Sequence, residues 1–142
     1  MKISGQCHCG AIKLTGRTDI ANSIACHCTD CQVFSGGPYR AVTICKAEDL
    51  IFDGVPEEYV KIADSGNKKI QGFCRNCGTQ LFATDEKKTI YNIRVGWLDQ
   101  RDILKPKKHI FGSSARDWTK SIENDLWVAY GPNSEVFKPF DI

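Results

Sequence analysis

Apolar and polar residues alternate with a period of two in several short runs, and nowhere does the 3.6-residue period of a long helix persist. The runs include Ala11 to Thr15, Arg40 to Cys45, Glu58 to Ile62, Thr79 to Ala83 and Ile90 to Val95. In the last of these Tyr91, Ile93 and Val95 face Ile90, Asn92 and Arg94, an imperfect alternation. Gly, Pro, Asn and Asp separate the runs, as expected of turns. This pattern predicts half-buried strands. Helical signals are confined to single turns at Thr29 to Phe34 (with Thr29 or Asp30 near its start), Lys46 to Leu50 and Ser114 to Lys120. The expected class is therefore mainly β, with many short strands around loops.

The chain has 142 residues, of which 42% are hydrophobic and 25% charged. That length fits one domain spanning residues 1–142, large enough for a real but modest core. A net charge of +2 and a pI near 8.1 come from lysines and arginines interleaved with acids. Nucleic-acid binders concentrate their basic residues, so the spread argues against such a partner. The short run Lys105, Lys107, Lys108 reads as a solvated loop, with a site for a small anion as the sharper alternative. No apolar run approaches the ~20 residues of a membrane helix, and the opening residues lack the apolar core of a signal peptide. The expectation is a cytoplasmic monomer or homodimer.

Eight cysteines in a reducing compartment point to metal rather than to disulfides. Seven fall into three groups: Cys7-His8-Cys9-Gly10, Cys26-His27-Cys28-Thr29-Asp30-Cys31 and Cys74-Arg75-Asn76-Cys77-Gly78. A C-x-x-C followed by glycine turns both sulfurs toward one centre, and the glycine relieves the backbone where the chain leaves the turn. Cys7 and Cys9, spaced i and i+2 on extended chain, can supply the other half of a tetrahedral site. These four make a closed zinc site whose halves lie 65 residues apart. The remaining Cys26, Cys28 and Cys31 make a three-thiolate site with one position vacant, unless His8, His27 or Cys45 fills it. Structural zinc is held by four protein ligands, whereas catalytic zinc keeps a place for water or substrate. A redox dithiol at Cys74 and Cys77 and an iron–sulfur cluster on four of the thiols are alternatives. Cys45, alone at the end of an expected strand, reads as a buried small hydrophobe.

The pattern G-x-C-x-C-G, C-x-C-x-x-C and F-C-x-x-C-G-T resembles the glutathione-dependent formaldehyde-activating enzyme family, also called the S-(hydroxymethyl)glutathione synthase or centromere protein V family. The residues concerned are Gly5, Cys7, Cys9 and Gly10; Cys26, His27, Cys28 and Cys31; and Phe73, Cys74, Cys77, Gly78 and Thr79. Ser35-Gly36, Gly96-Trp97-Leu98-Asp99, Pro106, His109-Ile110 and Trp118 extend the likeness over nearly the full length. The resemblance implies an Mss4-like fold of short antiparallel strands with two zincs. By the same token Cys7, Cys9, Cys74 and Cys77 would hold a structural ion. Cys26, Cys28 and Cys31 would hold the active-site ion, making them the candidate catalytic residues.

The implied activity is that of a carbon–sulfur lyase or synthase acting on a glutathione-type thiol and a small aldehyde such as formaldehyde. A non-catalytic thiol carrier and a purely structural zinc module are the alternatives. Three thiolates on Zn²⁺ leave a net negative centre, which favours holding the substrate sulfur over activating the aldehyde. A substrate with two carboxylates needs cations, and Arg40, Lys68, Lys69, Arg75, Arg94, Lys108 and Arg116 are candidates. Ser35, Gly36 and Gly37 could offer backbone N–H groups to an anion or form a plain turn. Trp118 reads as a core or staple residue.

Overall fold

The computed structural model describes residues 1–140. Its strands are β1 (Lys2–Gln6), β2 (Lys13–Arg17), β3 (Ser23–Cys26), β4 (Arg40–Lys46), β5 (Leu50–Asp53), β6 (Glu57–Ile62), β7 (Lys68–Phe73), β8 (Gln80–Asp85), β9 (Ile90–Arg94) and β10 (Lys108–Ile110). A single α-helix is found among the described residues, α1 (Thr29–Ser35). The mainly β architecture is thus as expected. The expected strands shift by a residue or two, as with Ala11 and Ile12, which lie in a turn ahead of β2. Two of the expected helical turns are 3₁₀ rather than α, at Ala47–Asp49 and Asp117–Asn124.

The strands form a three-stranded sheet in the order β1-β2-β5 and a seven-stranded sheet in the order β10-β3-β4-β9-β8-β7-β6. All pairs are antiparallel except β10 with β3. Between the sheets lies a core that includes Ile3, Leu14, Cys45, Phe82, Ile93 and Leu98. An aromatic trio ties it together: Phe52 of the small sheet meets Phe82 of the large one at 5.5 Å, and Phe82 meets Tyr91 at 4.8 Å. Edge-to-face pairs of this kind add to the burial of their apolar area.

Close approach requires glycine at several positions, Gly5 and Gly72 among them. A Cβ on Gly5 would lie 2.4 Å from the Trp97 carbonyl oxygen, where β1 meets the segment ending at Leu98. A Cβ on Gly72 would lie 2.2 Å from the Phe82 ring. At the far edge, β6 is exposed along its whole length, and Glu57, Glu58 and Lys61 place charges there that oppose edge-to-edge pairing.

The other face of the large sheet carries α1. Phe34 of the helix packs on Tyr59 of β6 at 6.1 Å, and Asp30 pairs with Lys61 of the same strand. Beyond β10 the described chain continues in 3₁₀ turns and one bridge, Val128 to Val136. Trp118 in this segment is 60% exposed, so it is neither core nor staple. Among the described residues no helix is long and apolar enough to cross a membrane.

Candidate functional site

The first cysteine group occupies two hairpin loops. Cys7 to Gly10 lie between β1 and β2, and Cys74 to Gly78 lie between β7 and β8. Both loops fold alike. The amide of Cys7 bonds the carbonyl of Ile12 at 2.9 Å and that of Cys74 bonds Thr79 at 3.0 Å. Gly10 and Gly78 then donate back to Cys7 and Cys74 at 2.9 and 2.8 Å, each with positive φ (81° and 75°). Such φ values are cheap for glycine and costly for other residues. The loops meet because the backbone N–H of His8 donates to Thr79 Oγ1 at 3.1 Å.

Cys7, Cys9, Cys74 and Cys77 then place all four Sγ atoms within 4.8 Å of one another. Cys7 to Cys9 and Cys9 to Cys74 are both 3.7 Å. A tetrahedron of sulfurs at a metal–sulfur distance of about 2.3 Å has an edge of about 3.8 Å, so the spacing fits one ion. Thiolates need donors, and these are present. Ile12 N–H points at Cys7 Sγ at 3.2 Å, and Thr79 Oγ1 lies 3.1 Å from Cys77 Sγ. The Thr79 hydroxyl, followed by backbone N–H groups, holds the Cys77 thiol down to about 5.

The second group is local. Cys26 ends β3, Cys28 is the N-cap of α1 and Cys31 sits in its first turn. The capping atom is the sulfur itself, which accepts the Cys31 N–H at 3.3 Å; Thr29 and Asp30, expected near the helix start, are its first two residues. The three sulfurs lie within 4.8 Å of one another, and no fourth Cys, His, Asp or Glu joins them among the described residues. Cys45 is buried 3% exposed in the core with its thiol toward the Thr43 carbonyl. His8 is exposed. His27 turns to other rings, with Nε2 2.8 Å from His109 Nδ1 and its ring 5.0 Å from Tyr39. Burial, then the neighbouring His109, lowers the His27 pKa. Gln32 of α1 fixes the cluster to its surroundings, donating to the carbonyls of His27 and Ser114 at 2.8 and 3.0 Å. Burial, followed by the Cys28 sulfur, pushes the Cys31 thiol far up.

Of the candidate cations, two stand beside this cluster. Arg40 is the cross-strand partner of Cys26, and Arg94 is the partner of Val42, two residues along β4 on the same face. Both donate to Gln71 Oε1, from Arg40 Nη1 at 3.1 Å and from Arg94 Nη2 at 2.7 Å. Burial, then the charge of Arg40, holds Arg94 down to about 9. Of the other candidates, Lys68 pairs with Glu86 and Arg75 with Glu57, while Arg116 bonds the Ser114 carbonyl that also accepts from Gln32. Gln71 carried no signal in the sequence, since a lone glutamine in a strand marks nothing. The turn after α1 is a plain one: Gly36 N–H caps the helix on Gln32, and Gly37 N–H bonds Ser35 Oγ at 3.2 Å.

Comparison with known proteins gives three findings. Residues 2–114 match the family model of the glutathione-dependent formaldehyde-activating enzymes. A Schizosaccharomyces pombe protein named as an uncharacterised lyase is 33% identical over 95 residues, which is 66% of this chain and 66% of that one. The matched region thus spans just under two thirds of that relative. A crystal structure of a Rhodobacter sphaeroides protein superposes with a TM-score of 0.57 at 20% identity, covering 75% of this chain and 98% of the other. It supports the fold.

Proposed function

The chain belongs to the glutathione-dependent formaldehyde-activating enzyme family, and from that premise we propose that it is a zinc-dependent carbon–sulfur lyase or synthase working as one domain. Its substrates on this reading are a glutathione-type thiol and a small aldehyde such as formaldehyde. Cys7, Cys9, Cys74 and Cys77 hold a structural zinc; Cys26, Cys28 and Cys31 hold the zinc at which the thiol is bound. The observation that carries the reading is the difference between the two groups, four sulfurs in one and three without a fourth donor in the other.

Zinc bound by three thiolates supplies an open position that favours a fourth sulfur in its deprotonated form. The rest of the work falls to the chain. The Cys31 N–H keeps the Cys28 sulfur oriented, and Gln32 anchors the helix that carries both. In the synthetic direction the substrate sulfur attacks the aldehyde carbon, a carbon–sulfur bond forms, and the thiol proton ends on the former carbonyl oxygen. The lyase direction reverses each change.

The test is adduct formation from glutathione and formaldehyde, followed with zinc-loaded protein at micromolar concentration. The expected result is an accelerated rate that Cys28→Ser removes while one equivalent of zinc remains. Glutathione binding without any rate effect would assign a thiol carrier instead, and absence of both binding and rate effect would overturn the reading.

A further inference from the structure

Arg94 is 6% exposed, yet its Nε and Nη1 have no hydrogen-bond partner, and neither has Nε of Arg40. Among the described residues neither guanidinium forms an ion pair. One neutral oxygen, Gln71 Oε1, therefore serves two cations. Buried charge without a counter-charge is costly, and two like charges sharing one acceptor raise the cost. The unpartnered N–H groups reach no sulfur of the cysteine cluster.

Arg40 and Arg94 line a cavity of about 530 Å³ together with Phe34, Tyr39, Gln80 and Gly96, among others, while their unpartnered nitrogens are themselves closed to solvent. That volume lies in the usual range for small-molecule sites. Gln80 Oε1 is likewise buried without a partner. A forked guanidinium is suited to an oxyanion held by two parallel bonds.

We infer that Arg40 and Arg94, joined through Gln71, form a carboxylate subsite beside the three-cysteine cluster. It takes the acidic end of a peptide-like thiol whose sulfur is held at that cluster, and in this it rests on the thiol reading above. Gln71 is a positioning residue: its single oxygen holds the two guanidiniums side by side.

The experiment is calorimetric titration of zinc-loaded protein with 3-mercaptopropionate and with 3-mercaptopropanamide, its uncharged isostere, at fixed ionic strength. Wild type should bind the acid at least about tenfold more tightly, the order expected for a charge-assisted hydrogen-bonded pair. Arg40→Gln should bring the two affinities within about twofold by weakening the acid alone. Arg94→Lys, which keeps the charge but loses the fork, should also reduce the preference. Unchanged zinc content and circular dichroism show that the variants fold. Equal binding of acid and amide by wild type overturns the subsite. So does an equal loss for both thiols in Arg40→Gln, which would make the pair a counter-charge to the sulfur.

If neither thiol binds, the thiol reading falls and the arginines are judged alone by succinate against succinamide. A rise in Tm with succinate in wild type, absent from Arg40→Gln, supports the anion subsite. Equal rises, or none, overturn it.

Discussion

Replacing Cys9 and Cys77 together by serine leaves Cys7 and Cys74 as a bare pair, and replacing Cys28 leaves Cys26 and Cys31 in the same condition. All three replaced side chains have some solvent access, so the packing loss is small in each variant. The two variants differ in how much chain each metal ties together. Cys9 and Cys74 are 65 residues apart and their sulfurs 3.7 Å apart, whereas Cys26 and Cys31 belong to one continuous segment. Closing a 65-residue loop in the unfolded chain is worth about 4.3 kcal/mol on the cross-link entropy formula, and closing a five-residue loop about 2 kcal/mol. The difference, about 2.3 kcal/mol, follows from the ratio of loop lengths alone. At about 2–4 °C per kcal/mol for a chain of this size, the double variant should melt roughly 5–9 °C below Cys28→Ser. The assay is thermal unfolding by circular dichroism, with zinc counted in each protein beforehand. A Cys28→Ser protein that melts as low as the double variant, with one zinc retained, would refute the reasoning.

On the two-zinc reading, titration with a chelator should proceed in two phases, the three-sulfur site emptying first; release of both metals in one step would contradict the division of cysteines. Gly72→Ala should cost about 1–3 kcal/mol by overpacking against Phe82, seen as a lower urea midpoint, and Phe82→Leu in the same chain should recover part of it. In metal-free protein Cys77 should alkylate with iodoacetamide at a rate that levels off above about pH 6, since its thiol is held down to about 5 and the thiolate is the nucleophile. Because the folded pKa lies below the ordinary one, this bias toward the folded state is lost as pH falls through about 5. Thr79→Val should move the inflection upward, and an unmoved inflection would exclude the hydroxyl as its cause.

Both cysteine groups are legible in the sequence because metal ligation by thiols has a short-range signature. A C-x-x-C-G turn predicts its own geometry, and counting the thiols separates a set of four from a set of three. Strands were legible where one face is wet, as in Arg40 to Cys45. Lys68–Phe73 was not, because Ile70, Gln71 and Gly72 are buried in succession and no alternation survives. The arginine pair was present only as two names among seven candidates. What selects Arg40 and Arg94 is cross-strand register, and the acceptor that joins them comes from β7, two strands away from β9 in the sheet. The cap on α1 carried no sequence signal for a simpler reason: a cysteine sulfur does there what a hydroxyl or carboxylate usually does.

The unequal separation of ligands in the two groups also sets an order of events during synthesis. Cys26, Cys28 and Cys31 are all present once residue 31 has been made, whereas the four-sulfur group waits for Cys77. At about 5–20 residues per second the local cluster is complete roughly 2–9 s before its neighbour. On the two-zinc reading, the ion bound for the reactive position can therefore be captured by the nascent chain before the ion that secures the fold has a site.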